Sequence, residues 1–156
     1  MARRSGIVLL IGRPNVGKST LINALVGTKV AITSPRAQTT RFNIQAVLND
    51  PRGQIIFMDT PGILSDAKNK TAKQINQRAL ASLADETDLI LYIIDLSRPR
   101  GSEENKILGL LRKVDRTKLM VFNKIDLVNR NFRADYEFIK DEIPNFVEIS
   151  ALNHTH

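Results

Sequence analysis

The segment Ile7-Val-Leu-Leu-Ile-Gly-Arg-Pro-Asn-Val-Gly-Lys-Ser19 sets the architecture of this chain of 156 residues. Its apolar run is typical of a parallel strand buried on both faces. The rest fits the pattern G-x-x-x-x-G-K-[ST] and leads into a helix predicted over residues 18–26, which is where a phosphate-binding loop must lie. The alternative is a glycine-rich turn that happens to carry a lysine. Strand, loop and helix in this order favour phosphate binding.

Each residue type in this loop has a physical role in binding phosphate. The glycines let backbone amides surround the phosphates, and the N-terminus of the helix adds positive potential. Lys18 can reach the outer phosphates, and the hydroxyl of Ser19 can bind Mg²⁺. We therefore predict that the loop and the first helical turn bind the ligand through Gly12, Asn15, Val16, Gly17, Lys18, Ser19 and Thr20.

Outward from this segment, short apolar runs alternate with amphipathic stretches, a pattern typical of an α/β fold. The prediction is a three-layer P-loop NTPase sandwich with a six-stranded, mostly parallel sheet and one antiparallel edge strand. Further strands are predicted at residues 42–48, 54–58, 89–94, 119–122 and 146–149. Further helices are predicted from about residue 71, from Ser102 as the N-cap, and over residues 132–143, with Gly27 capping the first helix.

Composition excludes several classes of protein. No apolar run approaches the roughly 18 residues of a membrane span. The absence of cysteine excludes disulfides and thiolate metal sites, and both histidines, His154 and His156, lie at the end of the sequence. The net charge is +7, and residues 1–49 hold seven Lys or Arg and no acidic residue, while the rest is balanced. This excess suits a polyphosphate ligand; the alternatives are a solvated basic surface or an RNA contact.

A second motif, Asp59-Thr-Pro-Gly62, follows an apolar run and is therefore predicted at the end of a strand. There Asp59 can hold Mg²⁺ through water, and the amide of Gly62 can reach the terminal phosphate. On its own the tetrapeptide would be an ordinary turn. Its spacing from the phosphate loop favours the functional interpretation.

A third motif, Asn123-Lys124-Ile-Asp126, predicts which base is bound. A carboxylate at Asp126 can accept hydrogen bonds from the ring N–H and the exocyclic amine of guanine, which adenine does not present at those positions. Bound adenine would leave this carboxylate unpaired, at a cost of about 1 to 3 kcal/mol. Guanine is therefore predicted over adenine, and the ligand is GTP or GDP with Mg²⁺.

Together with Ala37-Gln-Thr-Thr-Arg41 and Gln54-Ile-Ile-Phe-Met-Asp-Thr-Pro-Gly-Ile63, these motifs resemble the translation-factor-related GTPases, most closely the Era-like family and less closely the Der-like one. The resemblance covers nearly the whole chain. It implies that Thr40, or else Thr39, binds Mg²⁺ beside Ser19 and Asp59. It also assigns Asn123 and Lys124 to the guanine ring and ribose, and Ser150 and Ala151 to the base carbonyl. Catalytic roles then fall to Lys18, Thr40 and Gly62.

Ile63 departs from many signalling GTPases, which carry a glutamine that orients the attacking water at this position. An aliphatic side chain cannot make that hydrogen bond, so slow intrinsic hydrolysis is expected. Relatives with a hydrophobic residue here and an asparagine in the phosphate loop can use K⁺ beside the phosphates. This resemblance points to Asn15 as a K⁺ ligand, against the alternative that Asn15 only shapes the loop.

The expected domain is a GTP-binding domain over residues 1–156 that stops before the family's final helix and before its RNA-binding KH domain. The expected function is a GTP-hydrolysing switch in which residues 28–41 and 60–75 respond to the terminal phosphate. By resemblance its partner is the small ribosomal subunit with its 16S rRNA, and its location is cytoplasmic, with peripheral attachment to the inner membrane as a variant. The alternatives are a nucleotide-responsive binding module without turnover and an ATP-using P-loop kinase, which Asp126 disfavours.

Overall fold

The computed structural model describes residues 4–27, 43–59, 84–127, 129 and 131–155, with the side chain of Asn43 excepted. Among these residues, two helices have eight residues or more, and a 3-10 turn covers Arg133–Tyr136. The strands are β1 (Arg4–Ile11), β2 (Asn43–Asp50), β3 (Gly53–Asp59), β4 (Leu89–Asp95), β5 (Lys118–Asn123) and β6 (Phe146–Ile149), and the helices are α1 (Lys18–Val26), α2 (Ser102–Leu111) and α3 (Ile139–Glu142).

The six strands form one sheet in the order β2-β3-β1-β4-β5-β6. All neighbouring pairs are parallel except β2 and β3, which are antiparallel, so β2 is the antiparallel edge strand. The predicted sheet is thereby confirmed. From β1 the chain passes first to β2 and β3 on one side and then to β4 on the other. Open α/β sheets bind ligands at such a reversal of strand order, and the phosphate loop follows β1 directly.

Alternate residues of the central strands supply two separate hydrophobic cores, one on each face of the sheet. In β1, Val8 and Leu10 pack on the side of α1, whereas Leu9 and Ile11 pack on the side of α2 and α3. The same alternation continues through β4, so the apolar run predicted as a doubly buried strand is buried on both faces. Helix, sheet and helix make the three layers that the sequence predicts.

Several predicted boundaries differ from the structure. Five of the six strands extend one to three residues beyond the predicted bounds, because their polar ends still pair in the sheet, whereas β6 has the predicted bounds. The turn between β2 and β3 consists of Pro51 and Arg52. The single helix predicted over residues 132–143 is wrong: the 3-10 turn and the four-residue α3 replace it. Its predicted inner residues Tyr136, Ile139 and Ile143 are nevertheless buried.

Of the two helix caps predicted from the sequence, one is confirmed and one is wrong. Gly27 caps α1 as predicted, with φ of +61° and its N–H donating to Asn23 O. The prediction that Ser102 caps α2 is wrong, because Ser102 is the first helical residue and Gly101 is the N-cap, without a side-chain hydrogen bond. The carboxylates of Glu103 and Glu104 lie in the first turn, where the helix dipole favours them.

Some predicted elements lie outside the described residues: the start of the strand at residue 42, most of the helix predicted from residue 71, and the loops 28–41 and 60–75. Within the described ranges, no helix has the length and apolar character needed to cross a membrane.

Two glycine substitutions are expected to have opposite effects on stability. A Cβ at Gly53 would collide with the main-chain carbonyl of Arg4 on the neighbouring β1, so G53A should lower the free energy of unfolding. A Cβ at Gly109, within α2, meets nothing within 4 Å. G109A should therefore raise the free energy of unfolding by about 0.5 to 1 kcal/mol through helix propensity. Urea unfolding of both variants measures this, and equal effects would contradict the β1–β3 register.

Candidate nucleotide-binding site

In the loop between β1 and α1, the carbonyl oxygens of five consecutive residues accept hydrogen bonds from side chains. Lys18 Nζ donates to Gly12 O at 3.0 Å and to Arg13 O at 3.2 Å. The other three carbonyls accept from later parts of the chain: Pro14 O from Arg98 Nη2 at 3.0 Å, Asn15 O from Lys124 Nζ at 3.0 Å, and Val16 O from Asn123 Nδ2 at 2.8 Å. A phosphate-binding loop presents backbone amides to its anion. A carbonyl oxygen and the N–H of the next residue share one peptide plane, so each of these hydrogen bonds also fixes the orientation of an amide.

The backbone of this loop explains why its glycines are required. Gly17 has φ of +102°, and a Cβ there would overlap Asn123 Nδ2. A Cβ at Gly12 would lie 2.6 Å from the carbonyl oxygen of Ile93 on β4. Asn15 also has positive φ, +62°, a conformation that asparagine adopts more readily than most residues. Any larger residue at Gly12 or Gly17 would move the loop.

Lys18 is the cation of the loop and begins α1. Burial lowers the pKa of Lys18, and the negative charge of Asp59 partly offsets that effect. The two loop carbonyls that it binds are weaker partners than phosphate oxygens. A phosphate oxygen would therefore be a stronger acceptor for Lys18 Nζ than the two carbonyls that it binds here.

Two of the three predicted Mg²⁺ ligands lie within the described residues. Ser19 is exposed in the first turn of α1. Asp59 ends β3 and pairs with Leu10 of β1, beside the start of the loop, where its Oδ2 accepts from Gln45 Nε2 at 2.8 Å. Hydroxyl and carboxylate oxygens are ligands that Mg²⁺ prefers, and Mg²⁺ commonly keeps several waters and substrate phosphates as its other ligands. This donor set therefore fits Mg²⁺ with a nucleotide, whereas Thr40 and Gly62 lie outside the described residues.

In the part of the chain that the structure describes, no three or more His, Cys, Asp or Glu side chains lie together in a way that could hold a metal ion. A metal site made of protein ligands alone therefore has no support there. The predicted ion depends on the nucleotide for the rest of its coordination.

Asn123, at the end of β5, connects the phosphate loop to the end of β6. Its side chain is almost completely buried, at 2% exposure, and both ends of the amide are used. Nδ2 donates to Val16 O, and Oδ1 accepts from the backbone N–H of Ala151 at 3.0 Å. The structure thus brings together three segments that the sequence assigns to one nucleotide.

The remaining residues predicted to contact the base lie around this connection. Lys124 has φ of +67°, which is unusual for lysine, and Asp126 is half-buried two residues further on. Ser150 is buried, and its Oγ accepts from the N–H of Asn153 at 3.2 Å. Backbone bonds between Ser150 and Thr155 close this segment on itself. Lys18 and Asp126 therefore follow the carboxyl ends of two parallel strands, β1 and β5, at the same edge of the sheet.

Sequence reasoning missed a group of charged residues behind the loop. Asp95, at the end of β4, accepts from Lys124, Arg98 and Ser97. Arg13 points to α2 instead of the ligand side, with Nε 2.5 Å from Glu103 Oε2 and Nη1 at the ion-pair distance of 3.0 Å from Glu104 Oε2. Burial raises the pKa of Glu104, and the charge of Arg13 counteracts this. The signal for Asp95 was present in the sequence, because it follows an apolar run as Asp59 does.

Comparison with protein families matches residues 7–124 to the family described as 50S ribosome-binding GTPase. Among curated proteins, GTPase Era of Carboxydothermus hydrogenoformans is 49% identical over 128 residues, which cover 82% of this chain and 42% of that protein. GTPase Era of Borreliella burgdorferi is 44% identical over 152 residues, covering 95% of this chain and 51% of that protein. The chain thus spans about half the length of these relatives.

Solved structures give the same result. A single-residue variant of Aquifex aeolicus Era bound to GDP·AlF4⁻ superimposes with a TM-score of 0.68 at 36% identity, covering 97% of this chain and 53% of that one. Era in complex with MgGDPNP and nucleotides 1506–1542 of 16S ribosomal RNA superimposes with a TM-score of 0.70 at 36% identity, covering 99% and 53%. The G domain of the Thermotoga maritima iron transporter FeoB, at 23% identity and a TM-score of 0.66, shares the fold.

Replacing Asn123 by alanine should destabilise the protein even without nucleotide. N123A leaves the buried Val16 O and Ala151 N–H without their side-chain partner, at a cost of about 1 to 3 kcal/mol for each group. Urea unfolding in nucleotide-free buffer measures the loss. Asn105 is exposed on α2, so N105A is the matched control and should change the free energy of unfolding by less than about 0.5 kcal/mol. Equal effects in the two variants would contradict the bridging role.

Proposed function

The chain belongs to the Era-like GTPases of the family described as 50S ribosome-binding GTPase, and we propose that it binds GTP and hydrolyses it to GDP and phosphate as a conformational switch. The two Era structures named above carry guanine nucleotides or their analogues. Over residues 1–156 we propose a GTP-binding domain. By resemblance, a KH domain would belong to the complete protein.

The observation that supports this proposal best is the bridge made by Asn123. It joins the phosphate loop, the segment 123–126 and the segment 150–151 through two buried hydrogen bonds. These three segments are proposed to bind the phosphates, the guanine ring and the base carbonyl, respectively. One rigid connection between them sets the distance between the two ends of the ligand. Such preorganisation lowers the entropy cost of binding.

For hydrolysis, Lys18 would offset negative charge on the outer phosphates, and Ser19 and Asp59 would hold the metal. Mg²⁺, when bound, neutralises charge that develops on the phosphates. We also propose Thr40 as a third metal ligand and the amide of Gly62 as a contact to the terminal phosphate, both on the motifs alone. Loss of that phosphate would release residues 28–41 and 60–75.

For the complete protein we propose a role in maturation of the small ribosomal subunit. The family description names the 50S subunit, whereas the Era complex contains nucleotides of 16S rRNA, which belongs to the small subunit. The small subunit is proposed because that Era matches 99% of this chain, whereas the family model matches residues 7–124. A cytoplasmic location is proposed on the same resemblance, with peripheral membrane attachment as its variant.

A second candidate is a nucleotide-responsive binding module with negligible turnover. Ile63 motivates it, since isoleucine cannot orient the attacking water as glutamine does. A Der-like assembly GTPase is the alternative within the family. The binding module and the GTPase differ in single-turnover hydrolysis.

Replacing Asp126 by asparagine should change base preference. D126N exchanges an acceptor-only group for one that also donates, so affinity should fall for guanine nucleotides and rise relatively for xanthine nucleotides. Competition of GDP, XDP and ADP against labelled GDP measures the preference. Asp141 is exposed on α3, so D141N is the matched control and should retain wild-type preference. Unchanged GDP affinity in D126N would place the base elsewhere.

Hydrolysis should respond to K⁺ through Asn15. With GTP and Mg²⁺, single-turnover hydrolysis is expected to be faster in K⁺ than in Na⁺, because the side-chain oxygen of Asn15 can bind K⁺ beside the phosphates. N15G removes that oxygen, and glycine accepts the positive φ of this position, so the two rates should become equal. A wild-type rate indifferent to the cation would remove the K⁺ hypothesis. Binding of GTP without any turnover would favour the binding module.

A further inference from the structure

The carboxylate of Asp95 lies behind the phosphate loop with 2% of its side chain exposed. Its two oxygens have different partners. Oδ1 accepts from the backbone N–H of Ser97 at 2.9 Å and from Ser97 Oγ at 2.6 Å, which stabilises the turn after β4. Oδ2 accepts from two cationic side chains, Lys124 Nζ at 2.6 Å and Arg98 Nε at 3.0 Å.

Both of these cations also bind the phosphate loop. Lys124 Nζ donates to Asn15 O, and Arg98 Nη2 donates to Pro14 O, each at 3.0 Å. One carboxylate oxygen thus connects, through two side chains from different parts of the sequence, to two consecutive carbonyls of the loop. Within the part of the chain that the structure describes, the hydrogen-bond partners of the Asp95 side chain are Ser97, Arg98 and Lys124, none of which the motifs assign to the phosphates.

We propose that Asp95 is a positioning residue for nucleotide binding: it holds Lys124 and Arg98 in the orientation in which they grip the phosphate loop. This inference rests on the proposed function, because the loop matters only if it binds phosphate. Lysine and arginine have long side chains that lose considerable rotamer entropy when they are held in one geometry. A shared anionic partner fixes both of them before the ligand arrives.

Electrostatics supports the geometry. Burial alone would raise the pKa of Asp95, but the hydrogen bonds from Lys124 and Ser97 outweigh it and hold the pKa below its usual range. The carboxylate is therefore charged at neutral pH. Without this negative charge, Lys124 and Arg98 would repel each other next to a loop that must accept an anion in a defined shape. The positive φ of Lys124 is a further sign that this residue is held in place.

Replacing Asp95 by asparagine separates its two roles. One is to hold Lys124 and Arg98, which we call the anchor, and the other is to stabilise the turn through Ser97. D95N is isosteric and keeps an amide oxygen for the two bonds from Ser97, but it lacks the charge that binds Lys124 and Arg98. Losing one charge-assisted hydrogen bond corresponds to roughly a tenfold change in an equilibrium constant. D95N should therefore release labelled GDP and labelled GTP roughly tenfold faster than wild type, by the same factor for both. Its preference for GDP over XDP should be unchanged, because Asp126 is untouched.

A double-mutant cycle distinguishes anchoring from a merely structural role. R98Q removes one arm of the anchor, so it should also speed GDP release, and the effects of D95N and R98Q should be clearly non-additive because the two residues act together. The matched control is E148Q. Glu148 lies on the edge strand β6, and its carboxylate is paired with Arg133 instead of with a residue that binds the loop. E148Q should release GDP at the wild-type rate.

The outcomes separate this inference from the proposed function. Wild-type protein that binds neither GDP nor GTP overturns the proposed function and the inference with it. Wild-type protein that binds normally while D95N releases GDP at the wild-type rate overturns the anchor alone, as does strict additivity in the cycle. Should D95N fail to fold, R98Q decides: faster release supports the anchor, and the wild-type rate overturns it.

Discussion

The candidate site depends on one buried amide. Asn123 is almost completely shielded from water, so both ends of its side chain must find partners within the protein. They find Val16 O in the phosphate loop and the N–H of Ala151 after β6. The position of this amide in turn explains Gly17, since any Cβ there would overlap Asn123 Nδ2. A residue from the segment proposed to bind the base therefore requires a glycine in the proposed phosphate loop, in a distant part of the sequence.

The basic residues near the loop do not all have the same role. The excess of basic residues before position 50 predicts counter-charge for phosphate. In the structure Arg13 is instead neutralised by Glu103 and Glu104 on α2, so it stabilises the packing of the loop on that helix. Lys18, by contrast, donates to two carbonyl oxygens of the loop and is affected by the charge of Asp59. Attraction for an anion is thus concentrated at Lys18, where α1 begins.

The elements that could be predicted from the sequence are those whose burial leaves a clear pattern of apolar residues. Central parallel strands are buried on both faces, so they are continuous apolar runs in the sequence. Once these strands are located, the motifs that come directly after them can be placed at the same edge of the sheet. The error over residues 132–143 has a physical cause: burial of Tyr136, Ile139 and Ile143 imitates a helical face, but a 3-10 turn and a short helix bury the same residues. The sequence marks Asp95 as a residue at the end of a strand, but it does not show that Lys124, 29 residues further on, is its partner.

Asp59 and Asp95 share one sequence signal, an aspartate at the end of an apolar strand, but they differ in their surroundings. Each ends an apolar strand, and β3 and β4 flank β1, so the two carboxylates lie on either side of the phosphate loop. Asp95 stands opposite Asn123 of β5, deep in the sheet, where fixed cations of the protein neutralise it. Asp59 lies nearer the edge and is only half-buried. The half-buried Asp59 is accessible to a cation from solvent, as its proposed role in binding Mg²⁺ requires, whereas Asp95 is already paired with cations of the protein, as its proposed role in positioning the loop requires.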